Sequence, residues 1–118
     1  MTGSTSSSDF PTTGGVAQPT KAAINGATNA FVSKLSFDGT TLLYSTFLGG
    51  TGVPSNPPEG DSGNAAAVDT NGSAFVTGST WSTNFPTFDP YQATSRSSGF
   101  TSFVTKLNPD ATLAYSTY

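Results

Sequence analysis

The sequence predicts an all-β fold made of four-stranded antiparallel sheets, and three observations support this class. Serine and threonine number 17 and 20 among 118 residues, while charged residues are only 9%, where about 25% is usual. Glycine (13) and proline (8) divide the chain into short segments rich in β-branched residues, which favours strands over helices. Aromatic residues reach 12% and recur at matched positions, whereas disordered chains are poor in them.

An internal repeat is the strongest pattern in the chain. Residues 2–13 and 77–88 are identical at eight of twelve positions, with an offset of 75. Residues 30–47 and 102–118 form a second matched pair, with offsets of 72 and 71. Apolar residues alternate with polar ones along each member of the second pair, which predicts a strand, a turn and another strand. The irregular stretches between the paired segments are predicted to be long loops.

A further hairpin is predicted over residues 64–80, turning at Asn71-Gly72, which is the strongest short hairpin signal. Seven strands therefore follow one another in the order B, C, D, A, B, C, D. Four sequential antiparallel strands per repeat are typical of a β-propeller blade, so the chain amounts to about 1.6–1.75 blades.

The whole chain, 1–118, is predicted to be one unit with three parts. Residues 1–47 form a partial blade with strands B, C and D, residues 48–63 form a Pro- and Gly-rich connector, and residues 64–118 form a complete blade. Because the first blade opens on its second strand, we expect it to lack the innermost strand and to be completed by other chains. Unpaired strand edges and open sheet faces predict copies of the same chain as partners, in a homo-oligomer or a fibre.

Composition argues against several classes of function. Histidine and cysteine are absent, which removes the usual general base, the commonest metal ligand and all thiol chemistry. We therefore expect no enzyme activity, no metal and no cofactor. The four basic residues are scattered and the net charge is −3, so no nucleic-acid partner is expected. No apolar stretch approaches the roughly 18 residues of a membrane helix, so no membrane insertion is expected.

The expected location of the parent protein is the cell surface or the extracellular space. No apolar segment follows Met1, so no signal peptide is expected in this chain. The expectation rests on composition, because a polar chain that is rich in serine and threonine and poor in charged residues suits an extracellular protein.

Acidic residues in predicted turns and loops are possible metal ligands, but another role is favoured for each of them. Asp69 and Asn71 offer alternate oxygen ligands that suit calcium, but they lie at the predicted hairpin tip and no glutamate follows at the spacing of a calcium loop. Glu59 and Asp61 lie in the connector, where a solvated loop is the favoured interpretation.

Two further repeated positions are interpreted as structural. Asp9 corresponds to Asn84, so a pair of glycosidase carboxylates is not repeated. The phenylalanine that follows each is predicted to plug the blade, and the next proline to stiffen the loop. Lys34 and Lys106 are the same position in two repeats, which favours a structural or solvated role over nucleophilic chemistry.

A possible ligand site lies around Trp81, the only tryptophan, which replaces Ser6 of the other copy. With Phe88, Tyr91 and Arg96 in the same loop, it is a candidate aromatic platform for glycans. The alternative, which we favour, is packing between blades.

The repeated segments resemble a known family. AVDTNGSAFVTGSTWSTNFPT (67–87), AFVSKLSFDGTTLLYSTFLGG (30–50) and FVTKLNPDATLAYSTY (103–118) are similar to the SBBP β-propeller repeat of bacterial surface and secreted proteins. Phe75 stands where tyrosine is common, and Ala111 replaces the turn glycine. The resemblance implies a propeller scaffold without catalytic residues, and hence a non-enzymatic structural or interaction module. A carbohydrate-binding propeller that uses the loops after strand B is the alternative function.

Overall fold

Seven strands in two antiparallel sheets form the protein, and the computed structural model describes all 118 residues. The first sheet has the order β1-β2-β3 and the second the order β4-β5-β6-β7. The strands are β1 (Thr2–Thr5), β2 (Asn29–Leu35), β3 (Leu42–Leu48), β4 (Asp61–Val68), β5 (Ala74–Thr80), β6 (Thr101–Leu107) and β7 (Leu113–Thr117). The predicted all-β class and the strand order are confirmed. No helix long and apolar enough to cross a bilayer is present.

The second sheet begins earlier than the sequence predicts. β4 starts at Asp61, three residues before the predicted hairpin, and the amide of Asp61 donates to the carbonyl of Thr28 in the other half of the chain (2.9 Å). The register shifts between Gly63 and Ala65, which is a β-bulge. Sequence alone missed this extension because two glycines, at 60 and 63, flank Asp61 and favour an irregular connector.

The two sheets are built on the same register. Gly3 lies opposite Phe31 across β1 and β2, and Gly78 lies opposite Phe103 across β5 and β6. A buried pair of hydroxyls, 2.8 Å apart, also joins the last two strands of each sheet, as in Ser33 with Ser45. The sequence repeat is therefore a repeat of structure, position by position.

A loop covers the outer edge of each sheet. The amide of Gln18 donates to the hydroxyl of Thr46 (2.9 Å), and that of Gln92 donates to the hydroxyl of Thr117 (2.8 Å). Each glutamine carbonyl then accepts the amide of the residue after that threonine, at 3.0 and 3.2 Å. The long loops after the second strands are thus bonded to β3 and β7, and they satisfy backbone groups that an edge strand otherwise exposes.

The main core lies between the two sheets. In it the rings of Phe85 and Phe103 stack with centroids 4.4 Å apart. The corresponding Phe10 packs on Phe31 at 4.5 Å, so the predicted packing role of the two phenylalanines is confirmed. The buried members of the core are Ala30, Val32, Tyr44, Leu48, Ala74, Val76, Phe85, Phe103, Leu107 and Ala111.

Replacing Gly78 with alanine is expected to lower the free energy of unfolding by about 1–3 kcal/mol, the usual cost of overpacking. A Cβ at this position would overlap the carbonyl oxygen of Ser62 on β4 and lie 2.8 Å from the Phe103 ring. Backbone and a fully buried ring have little room to move.

Gly3→Ala is the matched control for this substitution. Its Cβ would meet only the ring of Phe31, at 3.0 Å, and that ring is partly exposed. We expect a change within about 1 kcal/mol in urea unfolding. Equal losses in the two variants would contradict the close approach of β4 to β5.

Candidate functional site

A buried carboxylate, that of Asp61, lies where the two sheets meet. The residue is fully buried (0% exposed) at the start of β4. Four donors reach its two oxygens: the side chains of Asn29 (3.0 Å), Thr80 (2.6 Å) and Ser82 (2.9 and 3.0 Å) and the amide of Gly50 (2.8 Å). These donors come from separate segments of both halves of the chain, so the cluster ties the sheets together.

No lysine or arginine pairs with Asp61, because the only ion pair in the protein joins Lys106 and Asp69. Neutral donors alone must offset the cost of burying this carboxylate. Asp61 lines neither of the two cavities of the protein. The arrangement suits a structural clamp between sheets.

The interpretation of Asp61 as a solvated connector residue is wrong. The connector folds against β2, and the glycines of the chain make room for the buried carboxylate. A Cβ on Gly49 would overlap both Asp61 and Asn29. The Gly49-Gly50 pair directly after β3 was the available signal, since glycine inside or beside a strand often marks close approach of other groups.

The predicted aromatic platform is only partly assembled. Trp81 is half-buried, and its ring lies 5.8 Å from that of Phe100. Phe88 lies instead on the outer edge, where its backbone pairs with Ser116 of β7. Tyr91 is 99% exposed. The structure therefore brings Trp81 together with Phe100, a residue that sequence reasoning did not select.

Arg96, the fourth candidate for the platform, is exposed in the loop between β5 and β6. It forms no ion pair. Its guanidinium is therefore free in solvent near one end of the loop.

The hairpin tip at Asp69 is a hydrogen-bonded turn. One oxygen of Asp69 accepts the amides of Asn71 (3.0 Å) and Ser73 (2.9 Å). The bond from the Ser73 amide, that from Asn71 and the neighbouring Lys106 together hold the pKa of Asp69 below its usual range. One carboxylate oxygen of Asp69 is thus engaged by the turn, and the other lies 3.6 Å from the Lys106 ammonium. The protein contains no group of three or more acidic residues close enough to hold a metal ion.

Asn84, which replaces Asp9 in the second copy, also serves a structural contact. Its side-chain oxygen accepts the amide and the hydroxyl of Thr51, at 3.0 and 3.1 Å. Asp9 is exposed and bonds to the nearby hydroxyl of Ser7. These two positions present no pair of carboxylates.

Two apolar surfaces remain on the protein. The first, which we call the Lys34 cavity, has a volume of about 220 Å³ and lies between the sheets near the β4–β5 turn, beside Lys34 and Tyr44. The second, the open face, is a groove of about 230 Å³ on the side of the second sheet that points away from the first. The open face is lined chiefly by Ala65, Ala67, Phe75, Thr77 and Val104.

Two sheets of equal register, stacked through repeated residues, define a propeller-type repeat protein. Residues 43–86, from β3 to the end of the Asn-Phe-Pro segment after β5, match the family model SBBP, described as a beta-propeller repeat. This part of the chain is therefore similar to a beta-propeller repeat, in agreement with the two repeated antiparallel sheets of the fold. No curated protein and no solved structure matches the chain significantly.

Proposed function

We propose that this module works by associating with further copies of itself, sheet face against sheet face. A difference in burial between equivalent residues carries the proposal. Val32 on β2 is 2% exposed because the second sheet covers it, whereas the equivalent Val104 on β6 is 41% exposed. An equivalent valine side chain is therefore buried in the first sheet and exposed in the second.

The complementary face shows the reverse difference. Leu107 at the end of β6 is 0% exposed against the first sheet, whereas the equivalent Leu35 is 39% exposed. Phe103 is likewise fully buried, whereas the equivalent Phe31 is partly exposed. The exposed Leu35 face of the first sheet is thus equivalent to the Leu107 face, which covers Val32 inside the chain. The exposed Val104 face of the second sheet is equivalent to the Val32 face.

Stacking the Leu35 face of one copy on the open face of another would repeat the contact already present inside the chain. Such a contact joins two different surfaces, so it closes into a ring or continues as a fibre. The run of alanines in β4 supports close approach, because these small residues are exposed on the open face rather than packed inside the protein.

Native mass spectrometry and analytical ultracentrifugation of the 118-residue chain test this proposal. We expect a discrete oligomer or an open-ended series of masses. Val104→Asp should convert it to a monomer, because a carboxylate buried without a partner is strongly unfavourable. Ser98→Asp, in the exposed loop between β5 and β6, is the matched control and should keep the wild-type masses.

A wild-type chain that remains monomeric at high micromolar concentration would overturn the proposal. An oligomer of the same mass in the Val104→Asp and Ser98→Asp variants would also overturn it. Circular dichroism of each variant shows whether the sheets are retained, which separates loss of association from loss of folding.

Glycan binding is the second candidate function. The exposed rings of Tyr91 and Phe100, 99% and 60% exposed, support it, since aromatic faces stack on sugars. The ring of Trp81 lies beside that of Phe100. A glycan array on which the wild type binds and Trp81→Ala does not would support this function; equal signals, or none, would reject it.

A further inference from the structure

The four basic residues of the protein differ in how the backbone around them is held. Lys34 and Lys106 lie within β2 and β6, where each is paired in the ladder with the next strand. Lys21 and Arg96 lie in the long loops after β1 and β5. Exposed loops are the preferred sites of cleavage by endopeptidases, so the two loop residues are the ones to compare.

The two loops begin alike. The side-chain amide of Gln18 donates to the carbonyl of Thr20 (3.2 Å), and that of Gln92 donates to the carbonyl of Thr94 (3.0 Å). Each glutamine is also bonded to the outer strand of its sheet. A basic residue follows one position after Thr20 and two positions after Thr94. The two basic residues therefore occupy similar places, and the bonding of the chain that follows distinguishes them.

The peptide bond after Lys21 is held by a buried side chain. The amide of Ala22, which is the nitrogen of that bond, donates to the side-chain oxygen of Asn29 (2.8 Å). The amide of Ala23 donates to the same oxygen (3.0 Å). Asn29 is 0% exposed and belongs to the cluster around Asp61. The bond after Lys21 is therefore fixed to the body of the protein.

The peptide bond after Arg96 has no such support. In the strand registers Thr101 takes the place of Asn29, and threonine has no side-chain amide oxygen. The amide of Ser97, the nitrogen of the bond, meets a hydroxyl two residues earlier in the same exposed loop (3.3 Å). None of the backbone–backbone hydrogen bonds outside the strands involves residues 93–100. This segment is therefore free to fit into the cleft of another protein.

We propose that the bond between Arg96 and Ser97 is a cleavage site for an arginine-specific serine endopeptidase, a class of enzyme whose specificity pocket pairs a carboxylate with the guanidinium. Water is added across the amide bond. The carbonyl carbon of Arg96 becomes a carboxylate, and the nitrogen of Ser97 leaves as the new amino group of residues 97–118. The arginine is exposed and is flanked by serines and a glycine, whose small side chains leave room for the enzyme.

The hairpin of β6 and β7 stays in place after this cut. Its first strand still pairs with β5 over the whole register, and its residues Phe103 and Leu107 are 0% exposed. At its end the hydroxyl of Tyr118 donates to the carbonyl of Ser82 (2.8 Å) and accepts the amide of Phe85 (2.9 Å). Cleavage therefore yields two pieces that remain one folded unit.

Limited digestion of the folded 118-residue chain with trypsin tests the site, because trypsin cuts after lysine as well as arginine and all four positions compete. We expect the first cut after Arg96. The bond after Lys21 should be cut about tenfold more slowly, because two hydrogen bonds must break first. Cuts after Lys34 and Lys106 should be slower by about a thousandfold or more, because those bonds open only with the sheet.

Mass spectrometry identifies the products. Under denaturing conditions it should show the pieces 1–96 and 97–118. Under native conditions the two pieces should stay together, with the mass of the intact chain plus one water.

Arg96→Gln should remove the early cut, whereas Arg96→Lys should keep it, because the specificity pocket of trypsin accepts either cation. Lys21→Gln is the matched control in the other loop and should be cut as the wild type is. Val104→Asp should also be cut after Arg96 whether or not it forms oligomers, so this proposal does not depend on sheet stacking.

Two results would overturn the cleavage site: a first cut after any of the lysines, or equal rates of digestion of the wild type and Arg96→Gln. Loss of residues 97–118 from the native particle after the cut would contradict the two-piece product.

Discussion

Asp61→Ala is expected to lower the free energy of unfolding by about 2–6 kcal/mol. The substitution leaves two buried donors, the amide of Gly50 and the hydroxyl of Ser82, without an acceptor. Each such orphaned group costs about 1–3 kcal/mol. Asn29 and Thr80 lose less, because each has another acceptor within reach. Urea unfolding at fixed protein concentration measures the loss as a lower midpoint with an unchanged slope.

Asp110→Ala is the control for this prediction. Asp110 also accepts two bonds from one neighbour, the amide and hydroxyl of Thr112, but it lies exposed in a turn. Water replaces its oxygen there, so the cost should not exceed about 1 kcal/mol. A similar loss in both variants would mean that the cluster around Asp61 does not join the two sheets.

Phe103→Ala is expected to cost about 3–5 kcal/mol, the range for removing a buried phenylalanine ring. Its ring is 0% exposed, stacks on Phe85 and lies in the core between the sheets. The loss would be a large part of the roughly 5–15 kcal/mol that holds a domain folded. Thermal and urea unfolding, followed by circular dichroism, both measure it.

Phe31→Ala supplies the comparison, because Phe31 holds the same position in the first sheet and contacts the equivalent Phe10. Its ring is partly exposed, so the cost should be clearly smaller in the isolated chain. If stacking between copies covers the Phe31 face, the difference between the two variants should shrink as protein concentration rises. A concentration-independent difference would argue against cover by a second copy.

The repeat in the sequence was sufficient to predict the class of fold. Matched segments around Phe31 and Phe103, and the Asn71-Gly72 turn, predicted the strands and their order because both signals are local. The turn at Ala111 shows how strongly the repeat constrains the backbone. Ala111 adopts φ of 66°, close to the 73° of the equivalent Gly39, although alanine disfavours this region.

The cluster around Asp61 could not be predicted in the same way. Its members are separated by up to 53 residues in sequence, from Asn29 to Ser82, and each alone resembles an ordinary loop residue. Only the packing of one sheet on the other brings them together. The same holds for the unequal burial of Val32 and Val104, since two equivalent valines in similar local sequences differ in what covers them.

The loops that bond to the outer strands limit how molecules of this protein associate at high concentration. Thr46 and Thr117, with the amides that follow them, already have partners in the loops carrying Gln18 and Gln92. A neighbouring strand therefore finds few free backbone groups along β3 or β7. Fusion of two molecules side by side through these strands, the route by which flat sheets aggregate, is blocked at the periphery of the molecule. Lengthening of either sheet by a further strand is therefore disfavoured at β3 and at β7.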